Sequence, residues 1–265
     1  MYQNWKLECC VNTVQKELPF FPKYRHEYLF ENELKITWFE SNFSQSRYNF
    51  EHINIASNAC TIIVILLAAK CFENKIHMFG PEKDINYFLV KAFGECILEG
   101  NEIHQNLKQR GALSNVNLTV PEGIKHSGLN KQLGLVEWKC KLHMQPLGLT
   151  LYKNLKKCWL QWLSCNLSQK REDLYVVLIS DSRSVLFILN STLNTVTLID
   201  SHQHTFDRGA VIAIATRHKM KHLCNWFGDL IYSCYKSTPL LYELSFLYFK
   251  GQRGGKSKKK RLKEI

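Results

Sequence analysis

The feature that most constrains this chain is a succession of short apolar, β-branched runs in its second half. Tyr175-Val176-Val177-Leu178-Ile179, Ser184 to Leu189 and Thr195 to Ile199 follow one another, separated by the turn-like Asp181-Ser182-Arg183 and Asn190-Ser191-Thr192. Runs of this length bounded by Asp, Ser and Asn read as buried strands of a meander. Ala210 to Ala215 adds a fourth strand. The third run delivers Asp200-Ser201-His202 at its end. Side chains repeat every two residues along a strand, so Asp200 and His202 are expected on one face. A carboxylate beside an imidazole supplies an orienter and a base, and lacks only a nucleophile.

Far upstream, Asn58-Ala59-Cys60 heads an apolar run from Ala59 to Phe72. Its near-continuous hydrophobicity implies burial on all sides, as in a central helix. Ile62, Ile63, Val64 and Ile65 suit a strand equally, but the length of the run and its Ala68-Ala69-Lys70 ending favour the helix. Ser57 or Asn58 is placed to cap it. A thiol at a helix N-terminus sees the positive end of the macrodipole, which favours thiolate. Cys60, His202 and Asp200 are therefore the candidate catalytic triad.

The remaining pattern supports an α+β class. Residues 1 to about 50 are aromatic-rich, with Leu34 to Phe39 a candidate strand and Glu40 to Arg47 a polar loop that carries Gln45. Gly80-Pro81-Glu82-Lys83-Asp84 has the form of a helix start. Ile85, Phe88, Leu89, Ala92, Phe93, Cys96 and Ile97 then hold one helical face, and Gly111 ends the helix. Val120-Pro121 opens a short helix, and Leu133 to Met144 holds a strand. Leu147 to Leu167 and Thr216 to Cys234 have helical spacing, and Leu240 to Phe249 closes the core. Helices first and an antiparallel sheet afterwards imply an α+β domain. One domain over 1–249 is expected, with residues 1–40 as an N-terminal extension or covering strands and 250–265 as a flexible basic tail.

The 265 residues, 45% hydrophobic, provide ample chain for a globular core. The net charge of +12 is partly concentrated in Lys256-Ser257-Lys258-Lys259-Lys260-Arg261-Leu262-Lys263. That run reads as a nuclear address, a weak handle on nucleic acid or anionic lipid, or a solubilising tail. The first residues lack the apolar core of a signal peptide. Ala59 to Ala69 falls far short of the roughly 18 apolar residues a membrane span needs. A soluble cytoplasmic or nuclear protein with reduced thiols is expected, so the ten cysteines do not imply disulfides. Cys71, Cys96, Cys158, Cys224 and Cys234 sit in apolar stretches as small hydrophobes.

Asn58-Ala59-Cys60 opening a helix and Ile199-Asp200-Ser201-His202 ending a strand resemble the deubiquitinase domain at the N-terminus of herpesvirus large tegument proteins. So do the two-strand approach from Tyr175 to Leu189 and the strand-then-helix from Ala210 to Ile231. The resemblance implies a papain-like cysteine peptidase with N-terminal helices packed on an antiparallel sheet. It also implies Cys60 as nucleophile, His202 as base and Asp200 as orienter. The family builds its oxyanion hole with an upstream Gln, for which Gln45 is the candidate here. Asn58 is the other side-chain donor, and the Cys60 backbone N–H contributes in either case. The implied activity is cleavage after the C-terminal Gly-Gly of ubiquitin or a ubiquitin-like modifier, without a cofactor.

Three alternatives, and one separate motif, stand beside it. A metal site from Asp200, His202 and His204 has no second ligand cluster, and His218 and His222, four apart, read as an exposed basic face without an acidic partner. A silent relative would keep the fold and work by protein binding. Nucleic-acid binding through Lys153, Lys156, Lys157, Trp159 and Trp162 conflicts with the tryptophans' place on an apolar helical face, leaving the basic tail as the candidate nucleic-acid contact. Finally, Gln252-Arg253-Gly254-Gly255-Lys256 ends like a ubiquitin tail and raises self-cleavage after Gly255, where a flexible linker explains the same letters.

Overall fold

In the computed structural model, which describes residues 17–166 and 173–250, the apolar runs pair edge to edge into an eight-stranded sheet. The first half of the chain gives β1 (Tyr24–Leu29), β2 (Leu34–Glu40), α1 (Cys60–Glu73) and α2 (Tyr87–Gln109). Then come α3 (Val120–Ser127), α4 (Leu129–Gln132), β3 (Leu135–His143) and α5 (Leu147–Leu163). The second half gives β4 (Asp173–Ser180), β5 (Arg183–Asn190), β6 (Thr195–Asp200), β7 (Arg208–Thr216), α6 (Met220–Tyr235) and β8 (Tyr242–Phe249). The spatial order is β1-β2-β7-β6-β5-β4-β8-β3, and every neighbouring pair is antiparallel.

The strands read as unbroken apolar runs because helices cover both faces, so neither side chain of an alternating pair meets water. In β5, Leu186 and Ile188 pack with α1, α2 and α3, whereas Val185, Phe187 and Leu189 pack with α5 and α6. β7 divides in the same way, with Ile212 and Ile214 on the α1 side and Val211, Ala213 and Ala215 on the α6 side. Two apolar cores thus flank one sheet. Asp181 and Ser182, both at positive φ (48° and 62°), join β4 to β5, as the tightest hairpin turns require. That turn brings the start of β5 beneath the N-terminus of α1.

Two sequence expectations change. The sheet does not follow the helices. β2 pairs with β7 and β3 with β8, so strands from both halves of the chain interleave, and residues 24–40 supply two integral strands. Backbone hydrogen bonds are indifferent to chain order, so an open edge beside β7 accepts an N-terminal strand as readily as a C-terminal one. Gly80 to Asp84 is not a helix start either. Lys83 N–H bonds to the Gly80 carbonyl at 3.1 Å in a turn, and the buried Lys35 ammonium donates to the Lys83 carbonyl. The helix begins at Tyr87, where Asn86 caps it by accepting from Phe88 N–H at 2.9 Å. Gly111, at φ 62°, follows its end.

Among the described residues no helix is long and apolar enough to cross a membrane. The lysine-rich run 256–263 and the Gly254-Gly255 pair lie outside the described residues.

Candidate active site

α1 starts at Cys60, with Ala59 in the cap position and no side-chain cap. Ser57 and Asn58 do not fill that role. Ser57 Oγ instead accepts from Ala59 N–H at 3.3 Å and donates to Asn101 Oδ1 at 2.6 Å, tying the approach loop to α2. Leaving out a side-chain cap keeps the first-turn N–H groups of α1 free of an internal competitor where the thiol sits. Thr61 Oγ1 fastens that turn by hydrogen bonds to Ser184 Oγ at 2.8 Å and the Leu118 carbonyl at 2.9 Å. Cys60 is consequently only 3% exposed, with Sγ 3.9 Å from the Ser182 carbonyl of the β4–β5 turn.

Asp200 and His202 meet as expected, but not through strand periodicity. β6 ends at Asp200, and His202 lies in the bend that follows. Asp200 Oδ1 accepts both the His202 backbone N–H (2.9 Å) and the His202 Nδ1–H (2.6 Å), an Asp-centred turn that folds the imidazole back over the strand end. The imidazole and the Cys60 thiol lie close enough to shift each other's charge. The structure therefore brings together all three residues.

The charges agree with that contact. Burial would push the Cys60 thiol up, but the His202 hydrogen bond and charge, with hydrogen bonds from Ser184, outweigh it and pull the thiol down. Burial disfavours the His202 cation, yet the Asp200 charge and hydrogen bond and the Cys60 contact raise it to about 10. Asp200, fully buried, is held well below the usual carboxylate range by His202 and His204 despite its desolvation. The buried thiols of Cys71, Cys96 and Cys224 move the opposite way, pushed up by burial. The directions of both shifts favour a thiolate–imidazolium pair at Cys60, where a cation stands beside the sulfur.

Gln45 is also at the site. Its backbone N–H bonds to the Ser201 carbonyl at 2.8 Å, its Oε1 accepts from Ser201 Oγ at 2.8 Å, and its Nε2 donates to the Ser57 carbonyl at 3.0 Å. It bridges the segments before Cys60 and His202. Asn58 is half-buried two residues before the thiol. Sequence reasoning missed Ser184 and Ser201, whose only signal is adjacency to the turn and to His202. It considered His204 only as a metal ligand. His204 Nε2 instead lies 3.2 Å from Asp200 Oδ2, and no group of His, Cys, Asp and Glu suited to a metal occurs among the described residues. His218 has the acidic partner that the sequence did not disclose: Glu33 Oε1 is 2.6 Å away, and Glu33 also pairs with Lys219. Proximity across the chain brings β1–β2 to the start of α6. Trp159 and Trp162 are core residues.

No family model and no curated protein matches the chain. Among solved structures it is similar to the ubiquitin-specific protease encoded by murine cytomegalovirus tegument protein M48, solved with a ubiquitin-based suicide substrate. That match has a TM-score of 0.50 and 11% identity, and covers 82% of this chain and 87% of that one. Avirulence protein AvrPphB of Pseudomonas aligns at a TM-score of 0.40 and 13% identity, over 72% of this chain and 92% of that one. What the likeness to the first of these shows is a shared fold, an α+β architecture in which α1, beginning on Cys60, lies against an antiparallel sheet whose β6 ends on Asp200.

Proposed function

We propose that this chain is a thiol isopeptidase that cleaves after the C-terminal Gly-Gly of ubiquitin or a ubiquitin-like modifier. The observation that carries the proposal is the Cys60–His202–Asp200 contact, in which the described thiol that departs downward from its ordinary range is the one at the start of α1. The Cys60 thiolate attacks the glycine carbonyl carbon. The C–S bond forms as the carbonyl oxygen becomes an oxyanion, held by the Cys60 N–H and a side-chain amide. A Gln amide carries two N–H donors; Gln45 gives one to Ser57, which leaves the other for the oxyanion. Collapse breaks the C–N bond, and His202 protonates the departing lysine amine. Water, deprotonated by His202, then hydrolyses the thioester. Asp200 holds the imidazole with Nε2 toward the sulfur throughout. The likeness to a ubiquitin-specific protease supports the choice of substrate class.

A second reading rests on the near-complete burial of Cys60 beneath the β4–β5 turn. A site that never opens would leave a silent fold that binds the modifier without cleaving it. Labelling with a ubiquitin probe bearing a C-terminal thiol-reactive warhead separates the two. A covalent adduct on wild type, absent from Cys60→Ala, is expected; binding without an adduct would establish the silent module.

A further inference from the structure

The β6–β7 loop holds a second imidazole on the catalytic carboxylate, and its surroundings dictate its protonation. The His204 side chain is fully enclosed. Its Nδ1 lies 2.8 Å from the Gly209 carbonyl oxygen, and its Nε2 lies 3.2 Å from Asp200 Oδ2. Both partners are acceptors only. A neutral imidazole has one donor and one lone pair, so either tautomer would aim a lone pair at an oxygen in a water-free site. Only the doubly protonated ring satisfies both contacts, and an unsatisfied pair of acceptors at such depth is costly.

We infer that His204 is a cationic positioning residue: a buried imidazolium clamped between the Gly209 carbonyl and Asp200, which orients the carboxylate and shares its charge with His202. This rests on the proposed role of the Cys60–His202–Asp200 set. With it, Asp200 Oδ1 serves His202 and Oδ2 serves His204, so the carboxylate cannot rotate away from the working base. The second cation also draws part of the Asp200 field away from His202, which keeps that imidazolium acidic enough to give up its proton to a leaving amine.

The neighbours of His204 leave Asp200 as its counterion. From β2, the Trp38 ring is T-shaped to the imidazole with centroids 5.4 Å apart, its indole N–H bound to Glu27 at 3.0 Å, with the Arg208 guanidinium over the Trp38 ring at 4.6 Å. From α6, Tyr235 lies at 6.0 Å with Arg183 stacked on it at 3.9 Å. Burial pushes that phenol up, so Tyr235 stays neutral. The His204 backbone N–H donates to the Arg208 carbonyl at 3.0 Å.

Removing a positive charge raises the pKa of every titrating group near it. In His204→Gln, which keeps a donor but loses the charge, both pH limbs of the site should move upward. The rate of Cys60 alkylation by iodoacetamide, followed on the Cys60 peptide by mass spectrometry, reads this without any substrate. Its profile inflects once as the thiol ionises and again as His202 loses its proton. We expect the second inflection to rise by about one pH unit and the first by less, because His202 shares the carboxylate directly. A uniformly slower rate with unmoved inflections would reduce His204 to a structural spacer and overturn the inference. Should His204→Gln fail to fold, nitrogen-15 spectra of the wild-type imidazoles decide it. Two protonated nitrogens on the ring that contacts Trp38 are expected at neutral pH, and a single one refutes the imidazolium. Parallel labelling with the ubiquitin probe separates the two proposals. Shifted inflections without an adduct would remove the deubiquitinase activity and leave the charge-sharing pair, and an adduct with unmoved inflections would do the reverse.

Discussion

At the scale of single residues, one carboxylate organises the site. Asp200 has two oxygens, and the bend after β6 gives each of them an imidazole. The strongest consequence concerns the charge itself. Asp200→Asn keeps the shape but offers an amide N–H to one of two rings that both need an acceptor. The His202 tautomer is then no longer enforced, and turnover of a ubiquitin-linked substrate should fall by about 10²–10⁴-fold. The pH profile should move as well. Asp200 holds His202 up near 10, so without its charge the imidazolium titrates earlier and the alkaline limb moves down. The direction is opposite to that expected for His204→Gln. Measuring both limbs of kcat/KM for the two variants tests the sign at each site, and equal displacement in one direction would refute the shared-carboxylate account.

At the scale of elements, the question is what carries Gln45 to the thiol. The loop after β2 is fastened to β7 by the hydrogen bond from Ala210 N–H to the Phe43 carbonyl at 2.7 Å, and to the bend after β6 by that from Gln45 N–H to the Ser201 carbonyl at 2.8 Å. Gly209 permits the approach. A Cβ there would lie 2.3 Å from the Glu40 carbonyl oxygen and 2.4 Å from that of Phe43, both main-chain atoms that cannot rotate aside. The same residue supplies the carbonyl that His204 uses. Gly209→Ala should therefore destabilise the fold by roughly 1–3 kcal/mol in urea titration, the usual range for forcing atoms into packed space. It should also slow probe labelling beyond what the stability loss explains, because the loop that presents Gln45 must shift. A variant with unchanged midpoint and labelling would show that the loop is not held this way. Gly100 makes the corresponding contact between helices, where a Cβ would meet Ile63 at 2.5 Å, and it lets α2 lie against α1.

At the scale of the whole molecule, the buried charges set how stability responds to pH. Asp200 is depressed in the folded state, so its contribution is complete above the unfolded carboxylate range near 4 and is lost as pH falls below it. His202 is raised to about 10, so its contribution is complete below about 6.5 and is lost as pH rises from there toward 10. The Cys71, Cys96 and Cys224 thiols, raised by burial, add a further loss above about pH 8.5, where unfolded thiols ionise. The lowered Cys60 thiol opposes that loss only in part. Thermal melts should show a plateau between about pH 4 and 6.5 that falls away on both sides; a midpoint still rising through pH 8 would contradict this assignment of charges. Much of this architecture was legible in the chain. The runs from Tyr175 to Ala215 read as buried strands and the uninterrupted apolar stretch after Cys60 as an interior element, because local periodicity and turn residues are properties of neighbours in sequence; Asp200 with His202 read as a pair from their spacing, although the bend after β6, not the strand, joins them. What tertiary structure alone decided depends on atoms far apart along the chain: the insertion of β2 beside β7, the seating of Gln45 between Ser57 and Ser201, the partnership of His218 with Glu33, and the hold of His204 on Asp200. No sequence pattern encodes which acceptors surround an imidazole once water is gone, and in this site those acceptors set the charge.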